Sequence, residues 1–268
     1  MSVKKPISFI LGSTNHGTMI INRNDFNHTK NGAYGVGIQI LTNSSYDQQE
    51  VNLAIRLIEK RRKYFKDGVV ALDCGANIGV HTIEWAKKMT GWGEVYSFEA
   101  QEKIYYALAG NIALNNCFNV TAKHVALGSA NGNIAIPQLD YNQPSSFGSF
   151  ELVEKANNEF IGQKIDYQNT KKIEMINIDS LNLKRIDFIK VDVEGMEEKV
   201  LKGANKSIEN LLPILLIEHI KSDRDYLKKY LATREYETFF LGMNILAIHK
   251  KDQTLTSINT KDGVFKIN

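Results

Sequence analysis

The pattern of apolar and polar positions divides the chain into two unequal parts. Residues 1–45 hold only short apolar runs among Asn, Gly, Thr and His, and they read as short strands and loops, for example 18–22 and 36–42. Over 48–65 the spacing of Val51, Ala54, Ile55 and Ile58 predicts a helix, with Asp47 where an N-cap belongs. The basic run 60–63 falls on its last turn and reads as a solvated face that complements the helix dipole. After Asp67-Gly68 the rhythm becomes strand, helix, strand. Strands are expected at 69–73, 94–98, 120–127, 187–193 and 213–217, and helices at 80–89, 104–115, 197–210 and 223–231. A final hairpin joins 238–241 to 245–249 around Gly242-Met243-Asn244. Such alternation predicts an α/β fold: a doubly wound, Rossmann-like and mostly parallel sheet covered on both faces, with an antiparallel C-terminal hairpin. Residues 1–66 then form a small N-terminal cap and 67–268 the main domain. The stretch 128–172, rich in Asn, Gln, Ser and Gly, breaks the rhythm and reads as an insertion able to cover a site.

Composition narrows the classes without choosing a function. The 268 residues are 43% hydrophobic and 24% charged, near the average of soluble globular proteins, which argues against a disordered or rod-like chain. A net charge of +3 lacks the dense basic footprint of a dedicated nucleic-acid binder. Two cysteines, Cys74 and Cys117, cannot build a disulfide framework or a four-cysteine zinc site, so a reducing, cytoplasmic setting is expected. Lys4 and Lys5 precede an apolar run at 7–11 that is too short for a secretory core, and no 18-residue apolar stretch exists. The four prolines, at 6, 137, 144 and 213, leave no Pro-rich linker. They also exclude the Asn/Asp-Pro-Pro-aromatic motif of amino-methylating DNA enzymes and the Pro-Cys pair of cytosine-5 enzymes. No nucleic-acid partner and no membrane span are expected.

The strongest local signal is Leu72-Asp73-Cys74-Gly75-Ala76-Asn77-Ile78-Gly79-Val80-His81. An apolar strand runs into two glycines and then a helix. Glycines there allow a tight turn and close approach of a ligand, and the free N–H groups of the new helix favour an anionic group. A dinucleotide fingerprint would need Gly at 75, 77 and 80; Asn77 and Val80 break it, which counts against a nicotinamide-dependent dehydrogenase. Glu99 ends the next strand, 20 residues after Gly79, where an acid can accept hydrogen bonds from both hydroxyls of a ribose. The backbone of His124, Val125 and Ala126 follows as a candidate adenine contact.

A second signal is Ile189-Lys190-Val191-Asp192-Val193-Glu194-Gly195. A central parallel strand is ordinarily apolar on both faces, yet alternation puts Lys190, Asp192 and Glu194 on one face. These charges call either for a structural Lys190–Asp192 pair or for a cleft. The strand at 213–217 likewise runs into Glu218 and His219. Asp73, Glu99, Asp192, Glu194 and His219 would thus gather at C-terminal strand ends, where open α/β sheets bind ligands.

Taken together these segments resemble the FkbM family of methyltransferases. The resemblance rests on Asp73-x-Gly-Ala-Asn-Ile-Gly, Phe98-Glu99, Ile178-Asp179-Ser180-Leu181, Asp187-Phe188-Ile189-Lys190-Val191-Asp192-Val193-Glu194-Gly195, Val200-Leu201-x-Gly203-Ala204, Leu216-Ile217-Glu218-His219 and Asn244-Ile245-Leu246-Ala247. It spans about residues 68–249. Cys74 stands where an aliphatic residue is more usual, and Ala100-Gln101 where a Pro often follows the acid. The resemblance implies a class I fold, S-adenosyl-L-methionine as cofactor, and a small-molecule or glycan acceptor methylated on a hydroxyl of a sugar or natural product. It implies a cofactor site at Asp73, Gly75, Ala76, Asn77, Gly79, His81, Glu99, Ala100, Val125, Ala126 and Asp192. Asp192, His219 and Glu194 are the candidate proton acceptors. Ser145, Ser146 and Lys190 are the candidate acceptor contacts, with Phe147 and Gly148 beside them. Asp192, Glu194 and His219 could instead bind a divalent metal, which is not the favoured reading. A non-catalytic binding or scaffold protein on the same fold is the alternative of another class.

Overall fold

The computed structural model describes residues 6–30, 32–260 and 265–267; Lys4 and Lys5 lie outside the described residues. The chain opens with two antiparallel hairpins, β1 (Phe9–Thr14) with β2 (Gly17–Asn22) and β3 (Asn27–Thr29) with β4 (Gly32–Tyr34). Two helices follow, α1 (Val36–Asn43) and α2 (Gln48–Phe65). Residues 36–42, expected as a strand, are therefore helical. Val36, Gly37 and Ile40 are the buried positions there, and this spacing suits one face of a helix but not alternate sides of a strand. Asp47 does precede α2, but its backbone is left-handed (φ 40°) and its side chain makes no capping bond.

The main sheet is built from β5 (Val69–Cys74), α3 (Val80–Met89), β6 (Gly93–Glu99), α4 (Glu102–Leu114) and β7 (Val120–His124). The chain then leaves this sheet. β8 (Ala126–Leu127), β9 (Gly132–Pro137) and β10 (Thr170–Ile176) form a separate three-stranded sheet. The expected strand at 120–127 is thus two strands in two sheets, and the insertion is partly ordered as β structure. The chain returns through β11 (Phe188–Val191), α5 (Glu197–Lys202), α6 (Asn205–Leu211), β12 (Ile214–Glu218) and α7 (Arg224–Ala232). It closes the sheet with β13 (Tyr236–Leu241) and β14 (Asn244–His249), and a short pair, β15 (Ile258–Asn259) and β16 (Lys266–Ile267), follows. The helix expected at 197–210 is interrupted after Lys202. There Gly203 packs so tightly that a Cβ would stand 2.1 Å from the Gly128 carbonyl oxygen.

The strand order is β13-β14-β12-β11-β5-β6-β7, with β12 to β7 parallel and the last hairpin antiparallel. The order reverses between β5 and β11, so a crevice opens at the carboxyl ends of these two strands. Register then decides which face each side chain takes. Lys190 pairs across with Asp73 on one side and Leu216 on the other, and Asp73 pairs with Ser97. Directly paired residues point to the same face. Asp73, Ser97, Glu99, Lys190 and Glu218 therefore share a face with Val69, Ala71, Phe188, Ile214 and Leu216. These apolar residues pack with Val51, Ala54 and Leu57 of α2 and with Ile83, Trp85 and Ala86 of α3. The opposite face, with Leu72, Cys74, Ile189, Val191, Leu215 and Ile217, packs against Val200 and Leu201 of α5, Ile208 of α6 and Leu227 and Leu231 of α7.

The amino ends of the strands hold a buried charge network. Asp187, just before β11, accepts from Arg61 Nε (3.1 Å), Arg185 Nε (2.7 Å) and the Val70 N–H (2.9 Å). Arg61 also donates to Asp252 (2.6 Å).

Candidate active site

A cavity of about 510 Å³ lies at the carboxyl ends of β5, β6, β11 and β12. That volume is within the usual range of small-molecule sites. Its first wall is the turn after β5. Gly75 (φ +84°) is obligatory there, because a Cβ would stand 1.8 Å from the Asp192 carbonyl oxygen. This glycine lets the turn lie directly against the end of β11. Gly75, Ala76 and Asn77 line the cavity. Gly79 does not: it sits behind the turn, where a Cβ would meet Leu108 at 2.6 Å.

Asp73 is 1% exposed and lines the cavity. Its Oδ2 accepts from Thr82 Oγ1 (2.6 Å), whereas its buried Oδ1 has no partner among the described residues. A buried carboxylate oxygen left unpaired is costly, which marks it as an acceptor awaiting a donor. Glu99 is held rigidly: Asn77 N–H donates to Oε2 (2.9 Å) and Gln101 N–H to Oε1 (2.7 Å). Burial pushes its carboxyl up to about 7, opposed by these backbone donors. Each carboxylate oxygen keeps a lone pair for a further donor. Ala100, Val125 and Ala126 complete this wall. His124 does not face in; its Nε2 lies 3.1 Å from the Ala100 carbonyl and its ring stacks on Tyr105.

The second wall is charged. Lys190, 4% exposed, donates to Asp192 Oδ2 (2.7 Å). Burial opposes its charge, but Asp192, Glu50 and Asp73 outweigh it and hold the ammonium above the ordinary lysine range. The chain turns after Asp192 with Glu194 left-handed (φ 52°), and Lys221 Nζ lies 2.7 Å from Glu194 Oε2. Glu218, ending β12, joins them: one oxygen each of Asp192, Glu194 and Glu218 lies within 4.8 Å of the others. Burial beside Asp192 raises the carboxyls of both Glu194 and Glu218 well above the ordinary range. The oxygens are close enough to converge on a cation, but Lys190 and Lys221 already supply counter-charge to two of them, so the donor set reads as an ion-paired cluster.

His219 is a correction. It stands one residue past Glu218, so alternation turns it to the other face, where its Nε2 lies 3.3 Å from the Gly242 carbonyl and its ring against Phe240. It is absent from the cavity wall. Ser145 is a second correction: it is fully buried and donates to the Ile161 carbonyl (3.1 Å), while Ser146 and Gly148 do line the cavity. Phe147 is core. His81 lines the cavity from the first turn of α3, 3.2 Å from Glu50 Oε1. Burial works against charge on Glu50, but the His81 bond and the Lys190 charge prevail and hold it at about 2.

Sequence reasoning missed Glu218, Lys221 and Glu159, and missed Tyr34, Gln39 and Tyr46 of the N-terminal segment, all in the cavity wall. Tyr34 donates to Glu159 Oε1 (2.5 Å), and Glu159 pairs with Lys221 (3.0 Å), which ties the N-terminal hairpin and the insertion to the acid cluster. Alternation separates Glu218 from His219 by face, and the register of β12 against β11 selects Glu218. No sequence pattern pointed to the others.

A family model described as the methyltransferase FkbM domain matches residues 73–240. Two fungal proteins are similar in sequence. "Methyltransferase 1" of Beauveria bassiana is 26% identical over 175 residues, covering 60% of this chain and 69% of its own length. "Methyltransferase sdnD" of Sordaria araneosa is 27% identical over 168 residues, covering 55% and 64%. Among solved structures, the methyltransferase FkbM of Methylobacillus flagellatus KT aligns with a TM-score of 0.49 at 20% identity. The alignment covers 71% of this chain, which spans about half (48%) of that protein. No helix among the described residues is long and apolar enough to cross a membrane.

Proposed function

The chain belongs to the FkbM methyltransferase family, and from that premise we propose that it is an S-adenosyl-L-methionine-dependent O-methyltransferase acting on a hydroxyl of a sugar, a glycan or a small natural product. The observation that carries the reading is one cavity holding two different sets of acids. Asp73 and Glu99, at the ends of β5 and β6, form a fixed acceptor wall, and the carboxylates at the ends of β11 and β12 form a charged one. The first set suits a cofactor with an amino group and a ribose. Asp73 offers the unpaired Oδ1 to the ammonium, and Glu99, rigid on two backbone N–H groups, accepts from the ribose hydroxyls. Val125 and Ala126 supply an apolar slot for the base.

The bound cofactor supplies an electrophilic methyl group on a sulfonium, so little covalent chemistry is left to the protein. This chain's residues orient the acceptor hydroxyl toward it and receive its proton. Asp192, paired with Lys190, borders both walls. Ser146 and Lys190, both in the cavity wall, support hydrogen bonds to a polar acceptor, with Tyr34, Gln39 and Tyr46 also lining the cavity.

Calorimetric titration with S-adenosyl-L-methionine tests the cofactor half; no heat at millimolar cofactor would sink it. Incubation with methyl-labelled cofactor and fractionated sugar nucleotides, glycans and small metabolites tests the acceptor half. The label should enter a hydroxyl-bearing compound as a methyl ether.

A further inference from the structure

We infer that Glu218 is the catalytic base, the group that takes the proton from the acceptor hydroxyl. The inference rests on the methyltransferase reading above and deepens it. In the transfer the acceptor oxygen forms a bond to the methyl carbon while the carbon–sulfur bond breaks, its electron pair staying on sulfur. The hydroxyl proton passes to a carboxylate oxygen of Glu218. Charge balances: the sulfonium becomes a neutral thioether and the carboxylate a carboxylic acid.

Three observations single out this residue. First, its position: register puts Glu218 on the same sheet face as Asp73, Glu99 and Lys190, and it lines the same cavity. In the strand order β12 lies two strands from β5, about 10 Å at ordinary strand spacing. A cofactor lying across the ends of β5 and β6 therefore leaves the ends of β11 and β12 to the acceptor.

Second, its freedom. Asp192 is bound to Lys190 and Glu194 to Lys221, each at 2.7 Å. Among the described residues no lysine or arginine pairs with Glu218. An ammonium drains basicity from the carboxylate it touches; Glu218 keeps its own.

Third, its unfilled valence. The Glu218 Oε2 is buried and has no hydrogen-bond partner among the described residues; Glu194 Oε2 is also buried without one, but it has the Lys221 ammonium 2.7 Å away. Asp73, 1% exposed, lines the same cavity with an equally unpartnered Oδ1. Natural structures leave buried polar atoms unpaired rarely, and chiefly where a ligand completes them. The neutral acid is also favoured here. Burial comes first, then the charges of Asp192, Glu194 and Glu197, with Lys190 opposing. From the hairpin side β14 presents Asn244, whose amide donates to Glu50 (2.6 Å). A base that prefers to be protonated accepts a proton readily once ionised.

The test compares the wild-type chain with Glu218→Gln and Glu218→Asp. In the cofactor-free protein, thermal unfolding is followed from pH 5 to pH 9. The wild-type melting temperature should fall throughout that range, and Glu218→Gln should lessen the fall, most clearly above pH 7 where Glu99 and Asp25 no longer contribute. All three proteins should bind S-adenosyl-L-methionine alike by calorimetry. With the acceptor found by labelling, Glu218→Gln should lose roughly 100-fold or more in kcat with KM little changed, and Glu218→Asp should recover part of it. The rise of kcat above neutral pH should vanish in Glu218→Gln. Wild-type kcat in Glu218→Gln would overturn the proposal. So would an unchanged kcat with a raised KM, which would make Glu218 a binding group for the acceptor. If the wild-type protein binds the cofactor but labels nothing, the methyltransferase reading itself fails and takes this proposal with it.

Discussion

The two ends of β11 each carry a buried cluster of charge, and they are built to opposite rules. At the amino end, Asp187 is saturated by Arg61, Arg185 and a backbone N–H, and Arg61 is shared with Asp252. At the carboxyl end, five residues on, Asp192, Glu194 and Glu218 outnumber the two lysines that reach them, and Glu218 Oε2 has no hydrogen-bond partner among the described residues. The first cluster lies outside the cavity and the second lines it. Buried charge whose hydrogen bonds are complete serves the fold; buried charge left incomplete beside a cavity reads as a site.

The comparison can be broken by removing a partner from either end. The largest effect is expected at the amino end. Arg61→Met strips Asp252 and Asp187 of a shared guanidinium and should cost about 3–5 kcal/mol in urea unfolding, while the protein that remains folded still binds cofactor. Gly75→Ala comes next and strikes the seam between the cofactor turn and β11. A Cβ there meets the Asp192 carbonyl at 1.8 Å in a left-handed backbone, so about 3 kcal/mol of stability should go, and cofactor affinity with it.

Glu99→Gln sharpens the contrast between the fixed and the charged wall. It loses a charged acceptor, and cofactor affinity by calorimetry should fall by about 10- to 100-fold. It also carries a pH signature. The Glu99 carboxyl, pushed up to about 7 by burial, is protonated in the folded chain between its ordinary 4.5 and about 7, whereas the unfolded chain is ionised there. The folded state binds more protons, so this contribution to stability is lost as pH rises through that window. Asp25, also held at about 7 by burial, adds to the same fall. Denaturant unfolding of the cofactor-free protein at pH 5, 6 and 7 should show a decline that is shallower in Glu99→Gln. His219→Asn is the smallest change: stability should move within about 0.5 kcal/mol and methyl transfer should stay at the wild-type rate. Transfer lost as completely as in Glu218→Gln would undo the assignment of His219 to the far face.

Much of this was legible along the chain. The apolar runs, the glycine turn and the alternation of strand and helix specify a doubly wound sheet, because each depends on residues close in sequence. Asp73, Glu99 and the Lys190–Asp192 pair also came from single strands and their ends. The misread segments failed for identifiable reasons. Residues 36–42 carry β-branched residues but bury them at helical spacing, and 120–127 holds enough apolar residues to hide the switch from one sheet to another. Glu218 and His219 are neighbours on one strand end, and only His219 was a candidate. Alternation says that they face opposite ways, and only pairing of β12 with β11 says which one faces the cavity. Likewise Lys221, Glu159 and Tyr34 meet at the cavity from three distant parts of the chain. Local sequence determined the elements and the acids at their ends, since propensity and periodicity act over a few residues. The tertiary structure alone decided which acids share a cavity, because register and packing are set between segments that the sequence keeps far apart.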